Sequence, residues 1–176
     1  VSDAGPAPGV LVIGVGNDLR GDDSAGLEVA RRLRGVGDGA RAGVGAPLAY
    51  DGDGAGLLDL WQGARAVVLV DAISSGAPAG TIHRFDASAT ALPARMAHGS
   101  THAIGLADAI ELARVLRRLP PRVLVYGVVG ERFGAGAALS EAVAAALAPL
   151  ADAVRDEALA LALALADADR GAGSGR

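Results

Sequence analysis

Asp22 and Asp23 stand in a glycine turn just after a β-branched apolar run, Asp71 closes a second such run, and His102 heads an apolar periodic segment. Carboxylates and an imidazole are donors that suit a divalent ion of the borderline kind, such as nickel, zinc, cobalt or iron, better than a thiolate-seeking or all-oxygen site would. The first pair belongs to the stretch Val10-Leu-Val-Ile-Gly-Val-Gly-Asn-Asp-Leu-Arg-Gly-Asp-Asp-Ser-Ala-Gly26. A strand, a glycine turn and a helix also begin a βαβ unit, so a dinucleotide fingerprint is the competing chemistry. Gly14 and Gly16 supply its first two glycines, but Leu19 occupies the third position and the next glycine is Gly21. Asp22 and Asp23 would moreover place negative charge where a pyrophosphate would sit.

The elements that must position these groups follow from periodicity. Val10 to Val15 and Ala66-Val-Val-Leu-Val-Asp-Ala72 read as strands buried on both faces, and the second puts Asp71 at its carboxyl end. Val123 to Val129 is a third. A weaker strand is expected around 41–46, and another over Thr81 to Phe85 with His83 half-exposed and outside any site. Helices are expected from about Ser24 to Arg34, around Leu57 to Trp61 with Trp61 in the core, and from Ser100 to about Leu116. A last helix begins at Ser140, with a possible kink at Pro149 and a stripe of Val143, Leu147, Leu150 and Val154. With Ser100 or Thr101 as cap, His102 falls in the first turn, where the positive helix end favours neutral imidazole. The alternation predicts an α/β three-layer sandwich: a twisted, mostly parallel β-sheet flanked by helices on both faces. In such sheets sites lie outside the strands' carboxyl ends, which brings the Asp22/Asp23 turn, Asp71 and His102 to one rim.

Composition narrows the class. The 176 residues, 51% of them hydrophobic, suit one domain, expected over 9–166 between a flexible Pro/Gly-rich leader at 1–8 and a flexible tail at 167–176. A net charge of −4 gives no basic footprint for nucleic acid, although every cationic side chain besides histidine is Arg. Without Cys there is no disulfide framework and no thiolate nucleophile, which fits a reducing cytoplasm. No secretory signal or membrane span is expected, and the chain is expected to act as a soluble monomer.

The plain alternative is that Asp22 or Asp23 caps the following helix, Asp71 caps a turn, and His102 is an ordinary first-turn residue. Gly14-Val-Gly-Asn-Asp-Leu-Arg-Gly-Asp-Asp-Ser-Ala-Gly26, Val70-Asp-Ala72 and His102-x-x-Gly-Leu-Ala-Asp108 resemble the successive signatures of the hydrogenase maturation endopeptidases, over most of the domain. The resemblance implies a nickel-binding set of Asp23, Asp71 and His102. The family commonly has Glu at the first position, so Asp23 is a shorter variant and Asp22 stays a competitor. The family's Asp-Gly-Gly-Thr turn is here Asp51-Gly-Asp-Gly54, and its Gly-x-x-Pro-Glu is Gly127-Val-Val-Gly-Glu131.

The resemblance further implies an aspartyl-type endopeptidase that removes the C-terminal extension of a NiFe hydrogenase large-subunit precursor after nickel insertion. The nickel would then arrive inside the substrate. Whether the metal polarises the carbonyl or a carboxylate activates water stays open, and no Ser here has a nucleophile-elbow context. Two other classes remain: a cofactor-binding α/β module, and a non-proteolytic nickel assembly factor using the same residues.

Overall fold

The three apolar runs form the centre of a five-stranded sheet. The computed structural model of the chain describes residues 9–34, 43–93 and 105–173. Strands β1 (Val10–Val15), β3 (Ala66–Ile73) and β5 (Arg122–Val129) run parallel, and all are buried along their length save Arg122. Their near-continuous Val, Leu and Ile content follows from having helices on both faces. β2 (Leu48–Tyr50) and β4 (Ile82–Asp86) take the edges, giving the order β2-β1-β3-β5-β4 with β4 antiparallel.

Side-chain alternation divides the core into two layers. Val10, Val12, Val68, Val70 and Val128 meet α1 (Ala25–Arg34) and α4 (Glu141–Gly173) on one face. Leu11, Ile13, Val67, Leu69 and Val125 meet α2 (Gly54–Leu60) and α3 (Leu106–Val115) on the other. The expected three-layer sandwich is the observed fold. Trp61 is fully buried, as expected, and with Leu57 and Leu58 it anchors α2. Each such side chain contributes roughly 1.5–3 kcal/mol by burial.

The helix after β1 sits unusually close to the sheet. A Cβ on Gly14 would lie 1.8 Å from the Gly26 carbonyl oxygen, and one on Gly26 would lie 2.2 Å from that of Val15. These glycines therefore serve helix–strand contact rather than phosphate approach.

Several boundaries differ from the sequence expectation. The second strand is β2 at Leu48–Tyr50; of the expected 41–46, residues 41 and 42 lie outside the described residues, and among 43–46 Val44 makes only an isolated bridge to Val10. β3 continues two residues past Asp71, because Asp71 to Ile73 stay in register with Gly127 to Val129. Asp71 thus lies within the strand rather than at its end. α3 begins at Leu106 with Gly105 as its N-cap, later than the expected Ser100 or Thr101. α4 runs through Pro149 to Gly173, past the expected start of a tail at 167. The expected leader at 1–8, and the residues 100–104 assigned to a helix start, lie outside the described residues. Among the described residues no helix is long and apolar enough to cross a membrane.

Candidate functional site

Strand order locates the site before any side chain is considered. β1 leads through α1 to β2 on one side, whereas β2 leads through α2 to β3 on the other, with the two helices on opposite faces. The carboxyl ends of β1 and β3 therefore border a topological switch point, where the two connections diverge and leave a crevice. Asp23 follows β1 in a short 3-10 turn, Gly21–Ser24, and Asp71 sits in β3.

The turn itself is closely built. Asn17 Oδ1 accepts from the Leu19 amide at 2.9 Å, and the Asn17 amide donates to the Asp23 carbonyl at 3.1 Å. Gly16 and Gly21 have positive φ values of 154° and 58°, and Gly21 packs against the Arg132 carbonyl oxygen, so larger residues would be strained there.

The two adjacent carboxylates of the turn have different work. Asp22 is fully buried, and its carboxylate accepts from the amides of Glu131 at 2.8 Å, Arg132 at 3.0 Å and Ser140 at 2.7 Å. Its own amide donates to the Arg132 carbonyl at 2.8 Å. Burial alone would raise its pKa, but the backbone donors of Ser140, Glu131 and Arg132 outweigh it and hold the group below the usual carboxylate value. Asp22 is consequently a structural clasp between the first turn and the loop after β5. Both of its carboxylate oxygens are thus engaged by backbone amides. Gly130 belongs to the same clasp: a Cβ there would come within 2.9 Å of Asp22 Cβ and 2.6 Å of the Phe133 ring.

Asp23 and Asp71 form a buried acidic pair. They are 2% and 7% exposed, so neither is an ordinary surface carboxylate. Asp71 is pushed well above its usual pKa, first by burial and then by the negative charge of Asp23, with an Ala72 backbone hydrogen bond opposing. Like charges buried side by side repel one another, and a cation between them offsets that repulsion. Arg20 Nε lies 3.7 Å from Asp23 Oδ2. Sequence reasoning missed Arg20, though its spacing three residues before Asp23 was visible.

His102, the third expected ligand, and His98 lie outside the described residues. Among the described residues no three His, Cys, Asp or Glu side chains form a metal-binding group. His83 is partly buried on β4, stacked on Phe85, and two strands away from Asp71 in the row running through Gly127. Asp53 caps α2 by accepting from the Gly56 amide, so the Asp51-Gly-Asp-Gly54 turn has a structural role even without the family's Thr. A depression of about 450 Å³, bordered by Trp61, Arg65, Arg117 and Pro121, lies at the amino ends of the strands, away from the acidic pair.

Comparison with known proteins gives the family and the fold. The family model described as hydrogenase maturation protease matches residues 52–157. Among solved structures, the NiFe hydrogenase maturation protease HybD from Thermococcus kodakarensis is 26% identical with a TM-score of 0.62, covering 85% of this chain and 98% of that one. The solution structure of an endopeptidase from Escherichia coli is 25% identical with a TM-score of 0.67, covering 82% and 88%. The hydrogenase maturating endopeptidase HybD from E. coli, at 23% identity and a TM-score of 0.62 over 82% and 88%, shares the fold. The comparison with curated proteins gave no match.

Proposed function

Because this chain belongs to the hydrogenase maturation protease family and is a peptidase, we propose that it removes the C-terminal extension of a NiFe hydrogenase large-subunit precursor. Cleavage follows nickel insertion, and the bound nickel is recognised through Asp23, Asp71 and His102. The nickel belongs to the substrate rather than to the enzyme.

The observation that carries this reading is the buried Asp23–Asp71 pair at the switch point. Burial and the negative charge of Asp23 both push the pKa of Asp71 up, and a divalent cation beside the pair would oppose both effects. The pair therefore responds to a metal-bearing tail and offers little to a metal-free one. Holding the metal at two fixed carboxylates also fixes the nearby peptide, and such positioning supplies much of the rate. The crevice between β1 and β3 is the expected place for the scissile segment. The Asp22 clasp joins the turn bearing Asp23 to the loop after β5, which fixes that turn at the rim of the sheet.

Mass spectrometry of a nickel-loaded large-subunit precursor, before and after incubation with this protein, tests the proposal. The expected result is a precursor shortened by one discrete C-terminal segment, with that peptide recovered. An unchanged mass with competent precursor and folded enzyme contradicts it.

A further inference from the structure

The turn after β1 carries one side chain that the fold does not use. Residues 17–23 close on themselves, since the Asn17 amide donates to the Asp23 carbonyl at 3.1 Å and the Asp23 amide to the Arg20 carbonyl at 3.2 Å. Within this loop the Asp18 carboxylate is held at both oxygens by Arg31 of α1, at 2.7 and 2.5 Å. Leu19 is fixed along its backbone: its amide donates to Asn17 Oδ1 at 2.9 Å, and its carbonyl accepts from the Gly136 amide at 2.7 Å. β1 and β5 flank β3, so the bond to Gly136 ties together the loops on either side of the strand that carries Asp71. The Leu19 side chain is nevertheless 74% exposed and belongs to neither layer of the core. The other exposed large hydrophobics among the described residues are Leu60, Val115, Leu116 and Leu163. The first three stand where α2 and α3 end and lead back to the starts of β3 and β5. Leu163 lies on the stretch of α4 that approaches Asp169, which pairs with Arg65 beside the start of β3. All four are toward the amino ends of the strands, and Leu19 alone among them is exposed at the carboxyl rim that holds the site.

We propose that Leu19 is a docking residue for the hydrogenase large-subunit precursor, covered by apolar surface of that protein beside the tail that is cut. The inference rests on the reading of the chain as the peptidase that processes this precursor. A single exposed leucine is ordinary on a protein surface, so its place and its fixing decide the matter. A precursor whose tail enters the crevice at the carboxyl ends of β1 and β3 must bring its surface against the turn after β1. Asp18 beside Leu19 is already paired with Arg31, so the contact offered at the tip of the turn is apolar. Ordering a mobile loop opposes binding, and a loop whose backbone is tied on both sides of Leu19 has little freedom left to lose. Covering a leucine presented in this way is worth about tenfold or more in affinity.

The test is the initial rate of precursor shortening by the full chain, followed by mass spectrometry over a series of nickel-loaded precursor concentrations, for wild type, Leu19→Ser, Leu19→Gln and Leu19→Met. The two polar variants are expected to raise KM by about tenfold with kcat within about twofold of wild type, because the lost contact is the same in the bound and transition states. Leu19→Met keeps an apolar side chain and should stay within about threefold of wild type in both constants. Thermal midpoints of all three should match wild type within about 2 °C, since the side chain lies outside the core. An unchanged KM in both polar variants overturns the inference, as does a loss confined to kcat. A midpoint that falls in step with activity also overturns it, by making Leu19 part of the fold. Each of these results leaves the peptidase reading intact, because wild type still shortens the precursor. If wild type leaves the loaded precursor unshortened, that reading falls and the role of Leu19 falls with it.

Discussion

Asp71 is the residue on which ligand and structural roles separate most cleanly. Its raised pKa means that below about pH 4 it is protonated in folded and unfolded chains alike and costs nothing. As pH rises, the unfolded chain ionises while the folded one resists, so stability falls across the window from the unfolded to the folded value. Asp71→Asn removes that penalty and retains an oxygen for the Ala72 amide. The metal-free variant should melt higher than wild type at neutral pH, with the difference vanishing toward pH 4, as thermal denaturation across pH will show. The same variant should lower processing of a nickel-loaded precursor by on the order of a hundredfold, since it loses the anionic donor. A variant that is both more stable and fully active would mark Asp71 as a turn or strand residue only. That Asp23 and Asp71 come together was legible from residue type and position after apolar runs. The distinction between Asp22 and Asp23 was not, because it depends on amides 109 to 118 residues away.

At the scale of elements, the first turn and the loop after β5 behave as one unit. The Asp22 carboxylate supplies three bonds to that unit and its amide a fourth, and Gly136 adds another by donating to the Leu19 carbonyl at 2.7 Å. Asp22→Asn leaves one oxygen for three amide donors and turns an NH2 toward at least one of them. It should destabilise the protein by about 2–4 kcal/mol, measured by urea unfolding at neutral pH. Because the folded pKa of Asp22 is lowered, its stabilisation is present above the unfolded value and is lost as pH falls through the folded one. The deficit of the Asn variant should therefore shrink in acid, and a constant deficit would contradict the clasp. The central strands β1, β3 and β5 were readable because burial on both faces makes them continuous apolar runs. β2 was misplaced because a three-residue, half-buried edge strand in a glycine-rich stretch carries almost no pattern. β3 outran Asp71 because pairing with β5 overrode the local preference of a polar residue to end a strand. Ser100 and Thr101 gave a capping signal, but the described helix takes Gly105 instead.

For the whole molecule, the order of strands converts two separated sequence motifs into one site. Placing β1 and β3 side by side brings the turn after one strand to an aspartate in the next, although nearly fifty positions separate them. The sandwich was predictable from alternating strands and helices, and the switch point then follows from the strand order. The purpose of that arrangement, in this account, is to read a metal that another protein carries. On the proposed reading, nickel dependence would belong to the encounter of two proteins and not to a resident cofactor. The most direct test is side-by-side digestion of nickel-loaded and metal-free precursor by the same preparation of this protein, followed by mass spectrometry over time. The account predicts shortening of the loaded precursor only, with the metal-free form intact even at high enzyme concentration; equal rates on both would contradict it.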